Sequence, residues 1–207
     1  MKHTILCLAT LCLASHVVRA GDEPQPKATL PRLAVGDLLP TFDSVDDAGE
    51  TWKSADHAGD KVLVLYFYPG DFTPGCGKQA EAYRGGLAKL QDVGAEVVGI
   101  SGDEVSTHKL FKEAYGLKHT LLADPKGELA AMVGLPVSPG QRLIPTGPDK
   151  KPILDEDGKR FRVERPLTIE RWTLVVGRDG RIASIRKVAN PVTDIEDVQK
   201  IVEELHK

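Results

Sequence analysis

The sequence predicts an α/β domain, a central mixed sheet with helices on both faces. Three observations predict it. Residues 62–68 and 96–101 are short apolar runs of the kind found in strands buried on both faces. They alternate with segments of helical spacing at 75–92 and 105–115. A late pair of strand-like runs, 172–176 and 182–188, flanks Arg178-Asp179-Gly180 as a hairpin. The order β-α-β-α-β-α-β-β-α places helices on both sides of the sheet.

The elements follow in order. Residues 42–52 read as a hairpin turning near Asp47-Ala48-Gly49. The 62–68 strand leads through a Pro- and Gly-rich loop to the 75–92 helix. Ala80, Tyr83, Leu87 and Leu90 share one face of that helix, and Gly85-Gly86 weakens it. The 105–115 helix turns Leu110, Phe111 and Ala114 inward and ends at Gly116. Residues 120–123 form a short strand, and Asp124-Pro125 opens a helix through Val133. The last helix runs from about 193 to 206, with Asp194, Glu196 and Asp197 in its first turn, where acids favour the dipole. Residues 136–168 hold six prolines and a turn at 155–158; they are too long for an ordinary connection and read as an insertion or active-site cover.

Before this domain lie two other segments. Residues 1–20 carry Lys2, an apolar stretch from Ile5 to Ala14, and Val18-Arg19-Ala20 as a cleavage site, the pattern of a secretory signal peptide. An uncleaved membrane anchor is the rival reading, and the run is short for one. Export, to a periplasm or outside the cell, is therefore expected, with no stable membrane insertion after cleavage. Residues 21–34 read as a flexible leader, and 35–207 as a single domain. Cleavage removes Lys2 and Arg19 and no acid, taking the net charge from -3 to -5. That balance, without a basic run, gives no reason to expect nucleic-acid binding. No metal, haem or nucleotide site is visible, and no cofactor is expected.

Of the three cysteines, Cys7 and Cys12 fall in the cleaved segment, so Cys76 is the one thiol of the mature chain. With Thr73 as N-cap and Pro74 at the first helical position, Cys76 falls in the first turn of a helix. The unpaired N–H groups there favour a thiolate, the nucleophilic form of cysteine.

The pattern Pro69-x-x-x-Thr73-x-x-Cys76 resembles the active-site motif of peroxiredoxins. The longer string from Tyr66 through Pro69-Gly-Asp-Phe-Thr-Pro-Gly-Cys76 is most similar to the Q-type, or bacterioferritin comigratory protein, branch of the alkyl hydroperoxide reductase/thiol-specific antioxidant family. Similarity continues in 97–103, 118–124 and 171–182, covering about 35–205 apart from the insertion. The resemblance implies a thioredoxin-like fold and a thiol-dependent peroxidase reducing hydrogen peroxide or organic hydroperoxides. It implies that Cys76 becomes a sulfenic acid, that Thr73 directs its hydroxyl at the peroxide, that Pro69 shields the sulfur, and that Arg171 stabilises thiolate and departing oxygen. Taken singly, Thr73 is a helix cap, Pro69 a strand end, Arg171 a surface charge and Cys76 a buried inert thiol; their joint occurrence favours the peroxidase.

One part of the family pattern is missing. Many Q-type enzymes carry a resolving cysteine five residues after the peroxidatic one, and here that position is Glu81. The cycle is then of one-cysteine type, completed by an external thiol reductant, a thioredoxin-like protein or a small thiol, acting on a monomer or dimer. Dithiol exchange is excluded by Gln79 and copper delivery by Ala80, each standing where a second cysteine would be needed. The remaining alternative is a non-catalytic thioredoxin-fold binding module. His57, His108 and His119 have no partners evident in the sequence and read as surface or core residues.

Overall fold

The computed structural model describes residues 33–155 and 157–206; the expected signal segment and the leader as far as residue 32 lie outside them. The elements are β1 (Asp43–Asp46), β2 (Thr51–Lys53), β3 (Val62–Phe67), α1 (Pro74–Asp92), β4 (Ala95–Ser101), α2 (Val105–Tyr115), β5 (Thr120–Ala123) and α3 (Glu128–Val133). Residues 136–168 then contribute β6 (Val137–Pro139), β7 (Arg142–Leu143), β8 (Val163–Glu164) and β9 (Leu167–Ile169). The chain closes with β10 (Trp172–Val176), β11 (Ile182–Lys187) and α4 (Asp194–Leu205). Seven strands form one sheet in the order β11-β10-β3-β4-β5-β1-β2. The β3–β4 and β4–β5 pairs are parallel and the rest antiparallel, so the sheet is mixed, as expected of a thioredoxin-like fold.

β3 lies at the centre, and every one of its residues is buried. Leu63, Leu65 and Phe67 pack on one face with Leu129, Ala130 and Val133 of α3. Val62, Val64 and Tyr66 pack on the other with Tyr83, Leu87 and Leu90 of α1 and with Ile195, Val198 and Val202 of α4. Helices on both faces leave no position for the polar alternation of a half-solvated strand.

Three local expectations are refined. α1 continues through Gly85-Gly86, and a Cβ on Gly86 would lie 2.8 Å from Ile195 Cδ1, so the bare backbone lets α4 approach closely. α2 buries Thr107, His108, Phe111 and Tyr115, while Leu110 and Ala114 are only half-buried. α3 begins at Glu128 rather than Asp124: Gly127 takes a left-handed conformation, and the Asp124 carboxylate accepts the N–H groups of Leu129 (3.2 Å) and Ala130 (2.9 Å) from outside the helix. The 136–168 segment is a folded excursion, with β6 paired to β9 and β7 to β8. Its tip turns at 155–158, where Gly158 N–H donates to Asp155 O at 2.9 Å.

Between β3 and β5, Gly99 makes room for the Tyr66 ring; a Cβ there would lie 2.6 Å from the Tyr66 hydroxyl and 2.8 Å from Leu121. Gly99→Ala is expected to lower unfolding stability by about 1–3 kcal/mol through overpacking. Urea denaturation checks this, and an unchanged midpoint would show that the core accommodates the methyl.

Candidate active site

The loop after β3 is built by backbone restrictions. Tyr68 N–H still donates to Ile100 O at 3.0 Å, but Pro69 has no N–H and ends the ladder. Gly70 (φ 147°) and Phe72 (φ 58°) have positive φ, which only glycine adopts without strain. Burial offsets the cost at Phe72: its ring packs edge-on to Phe111 at 5.1 Å between centroids. Thr73 then caps α1. Its hydroxyl accepts the Cys76 N–H at 3.4 Å and donates to Gly70 O at 3.3 Å, with Pro74 opening the helix.

Cys76 thus lies in the first turn of α1, with 1% exposure, and is the free cysteine among the described residues. Gly77 beside it is required by packing, because a Cβ there would lie 2.7 Å from the Tyr115 hydroxyl. Arg171 reaches the sulfur from the other side of the sheet sequence. β10 pairs antiparallel with β3, Trp172 opposite Phe67, and the preceding residue is therefore delivered to the level of Tyr68. There Arg171 Nη2 donates to Cys76 Sγ at 3.1 Å. Pro69 and Arg171 both line a cavity of about 360 Å³, whose other walls include Pro136, Val137 and Ile169. The structure therefore gathers Thr73, Cys76 and Arg171 directly, with Pro69 at the edge of the same site.

Two further residues, Gln79 and Asp194, orient the guanidinium, a role their sequence positions did not mark. Arg171 Nη1 donates to Gln79 Oε1, and Gln79 Nε2 donates to Asp194 Oδ2 at 2.8 Å. That carboxylate oxygen also accepts the hydroxyls of Tyr83 (2.8 Å) and Thr173 (2.9 Å), while Arg186 binds the other oxygen. The Gln79 amide, donating to Asp194 and accepting from Arg171, has one orientation left. Gln79 was findable, since i+3 of Cys76 falls on the same helical face. Asp194 was not, because its partners come from α1, β10 and β11.

A second polar cluster lies under the loop. Asp71 Oδ1 accepts the Tyr68 hydroxyl at 2.7 Å and Oδ2 faces His108 Nδ1 at 2.8 Å, all fully buried. The other ring nitrogen of His108 lies 3.1 Å from Leu122 O. With an acceptor at each nitrogen, the imidazolium form can be satisfied; burial opposes the charge, but Asp71, Asp103 and the Leu122 carbonyl together hold the His108 pKa above its ordinary value. Burial and the Asp71 charge push Asp103 up to about 6, against the pull of Arg165. His119 behaves oppositely: burial drives its pKa down to about 4, and the neutral ring lies 2.7 Å from the Tyr66 hydroxyl. His57 stacks on Trp52 and lies 2.8 Å from Glu96.

A buried thiol at a helix N-terminus, in contact with a guanidinium at the end of the central strand, defines a thiol-based redox enzyme on a thioredoxin-like fold. The chain belongs to the AhpC/TSA family, whose model matches residues 35–185. It is similar to the chloroplastic peroxiredoxin Q of Triticum aestivum, 36% identical over 166 residues that span 74% of each protein. It is 43% identical over 105 residues to chloroplastic peroxiredoxin Q of Suaeda salsa, covering 51% of this chain and 49% of that one. Among solved structures, peroxidoxin BcpB from Mycobacterium tuberculosis shares the fold, with a TM-score of 0.66 at 24% identity over 84% of this chain and 98% of that one. A cysteine-to-serine mutant of Xylella fastidiosa PrxQ also has a TM-score of 0.66, at 21% identity over 85% and 99% of the two chains. The protein is thus a peroxiredoxin of the Q type, a thiol peroxidase of one-cysteine type completed by an external reductant.

The relatives correct one expectation. They are chloroplastic proteins, plastid-targeted rather than exported, so the periplasmic or secreted location is withdrawn. An apolar stretch near a basic residue marks targeting without identifying the membrane to be crossed. Among the described residues, no helix is long and apolar enough to span a membrane.

The lowered His119 pKa has a testable sign. Stability owed to its neutral burial is whole above pH 6.5, the unfolded value, and is lost as pH falls from 6.5 to about 4. The loss is on the order of 3 kcal/mol. Asp103, with its pKa raised to about 6, opposes this by adding stability as pH falls through that value. Comparison with His119→Gln cancels the Asp103 contribution. The wild-type advantage over the variant is expected to shrink from pH 6.5 to 4 in urea denaturation; parallel curves would show that His119 is not held neutral.

Proposed function

We propose that this peroxidase reduces hydrogen peroxide or organic hydroperoxides at Cys76, with Thr73, Arg171 and Pro69 completing the catalytic set. The carrying observation is the 3.1 Å contact between Arg171 Nη2 and Cys76 Sγ. A guanidinium there favours negative charge on sulfur and has further donors for a peroxide oxygen. The thiolate attacks one peroxide oxygen: an S–O bond forms, the O–O bond breaks, and the sulfur supplies two electrons. The departing oxygen takes a proton and leaves as water or alcohol. Thr73, whose hydroxyl caps the cysteine's own N–H, is read as the group that hydrogen-bonds the incoming peroxide, and Pro69, on a cavity wall beside Arg171, as the residue that shields the sulfur.

The product, a sulfenic acid, has Glu81 where a resolving thiol would stand, and no second cysteine among the described residues. An external thiol forms a mixed disulfide with Cys76, releasing water, and a second thiol restores it. That reductant is read as a thioredoxin-like protein or a small thiol. The catalytic set comes from one chain, so a monomer or a dimer serves equally. Residues 1–20 are read as a targeting segment removed after Ala20, which mass spectrometry of the mature protein would test by finding Gly21 first.

Peroxide consumption with several thiol reductants tests the reading beside Cys76→Ser. The wild type is expected to consume peroxide and to yield a trappable sulfenic acid at Cys76, and the serine variant neither. Peroxide decay equal to buffer, with no trapped sulfenic acid, would favour the non-catalytic module instead. Arg171→Ala is expected to slow the first oxidation by roughly 10²–10³-fold, the scale of losing one preorganised electrostatic donor. Arg171→Lys should recover only part, since an ammonium cannot reproduce the planar fork shared by Gln79 and the sulfur. An unchanged rate in Arg171→Ala would remove Arg171 from the mechanism.

A further inference from the structure

Asp71 has all of its polar groups occupied. Its side chain is held by Tyr68 and His108, as described. Its N–H donates to Asp103 Oδ2 at 2.8 Å, and its carbonyl accepts Arg165 Nη2 at 2.6 Å. Arg165 Nε in turn donates to both oxygens of Asp103, at 2.9 and 3.1 Å, and Ser101 Oγ donates to Asp103 at 2.7 Å. A closed ring thus clamps the peptide of Asp71, two residues before Thr73 and five before Cys76.

Arg165 does not belong to the sheet. It lies in the 136–168 segment between β8 and β9, much of which is exposed, yet its own side chain is fully buried. Two glycines make the space. A Cβ on Gly70 would lie 1.9 Å from Arg165 Nε, and one on Gly102 would lie 2.4 Å from Leu167 O. The guanidinium therefore fills the space a Gly70 side chain would need, and Leu167 closes on Gly102 beside Asp103. In this dry site Arg165 pairs with Asp103 and the His108 ring faces Asp71.

We infer that Arg165 is a positioning residue for the peroxidase site, a latch by which the 136–168 segment holds residues 70–73 and the first turn of α1 in place. The physical reason is local. Thr73 caps α1 through contacts of 3.3 and 3.4 Å, too long to hold the turn strongly, whereas the Arg165–Asp103 clamp is charge-assisted and shielded from water. No second thiol among the described residues has to be brought to Cys76, so no internal step of the cycle requires this loop to open. The inference rests on Cys76 as the reacting thiol for its functional meaning, but its test does not depend on turnover.

The test uses amide hydrogen exchange of the peptide spanning 70–78 and the rate of Cys76 alkylation by iodoacetamide in the folded protein. The double variant Arg165→Met with Asp103→Asn removes the clamp without leaving a buried charge unpaired. Exchange and alkylation are each expected to rise at least tenfold. Peptides from β3 and β4 should exchange as in the wild type, and oxidation by peroxide should slow at least tenfold. Arg165→Lys, which keeps the charge but loses the planar fork bridging Asp103 and the Asp71 carbonyl, should fall between the two, and it replaces the double variant should that fail to fold. Unchanged exchange and alkylation in a folded variant would overturn the latch, as would wild-type amides at 70–73 that exchange as fast as the exposed residues 157–158. A wild type inert to peroxide but showing these exchange changes would sink the peroxidase reading and leave the latch standing.

Discussion

The site depends on one contact between parts of the chain 95 residues apart: the Arg171 guanidinium against the Cys76 sulfur. Neither partner is held there by its own neighbours alone. The sulfur is placed by β3, the loop and the Thr73 cap, and the guanidinium by the antiparallel register of β10 on β3. The contact therefore exists only when the central strand pairs and α4 docks, because Asp194 on α4 fixes the Gln79 amide that holds Arg171. Folding of the core and assembly of the site are in this sense the same event. A buried carboxylate such as Asp194 is costly unless every lone pair is used, and here the residues that satisfy it include one that sets the chemistry.

The main elements were legible because their physics is local. Continuous apolar residues in β3 follow from cover on both faces, Gly116 stops α2 by adopting a left-handed conformation, and Thr73-Pro74 marks the start of α1. Within the site, the motif named Pro69, Thr73, Cys76 and Arg171, and the structure brings Thr73 and Arg171 to Cys76 with Pro69 on the cavity wall beside Arg171. Where local signals failed, a distant partner had intervened. Asp124 looked like a helix start, but its carboxylate reaches forward to Leu129 and Ala130 across a left-handed Gly127. His108 read as an unpaired histidine, and its partner Asp71 lies 37 residues earlier, on a loop whose shape no spacing rule supplies. Targeting was the largest error, because hydropathy identifies a leader and not the organelle.

The 136–168 segment illustrates how a decoration becomes part of a site. Its prolines forbid a long regular strand, so it folds into short paired ladders. Its attachment is apolar where Leu143 and Ile153 pack on the Phe72 and Phe111 cluster, polar at Arg165, and close-packed at Leu167 over Gly102 at the β4 end. β9 also supplies Ile169 to the main core, continuing into Arg171 with a single intervening residue. Strain on the segment thus reaches the guanidinium by a short covalent route and the thiol loop by a polar one.

Gly70 carries a consequence for ancestry. Its backbone angle asks for glycine, and the guanidinium occupying the side-chain space beside it forbids any side chain independently. A lineage could have acquired Arg165 only where position 70 was already bare, and once the arginine was seated, that position lost its freedom to drift. The two sites should therefore covary across homologues: a bulky residue at 70 should accompany the absence of an arginine arriving from the excursion. Such a pairing would date the docking of this segment relative to its first appearance.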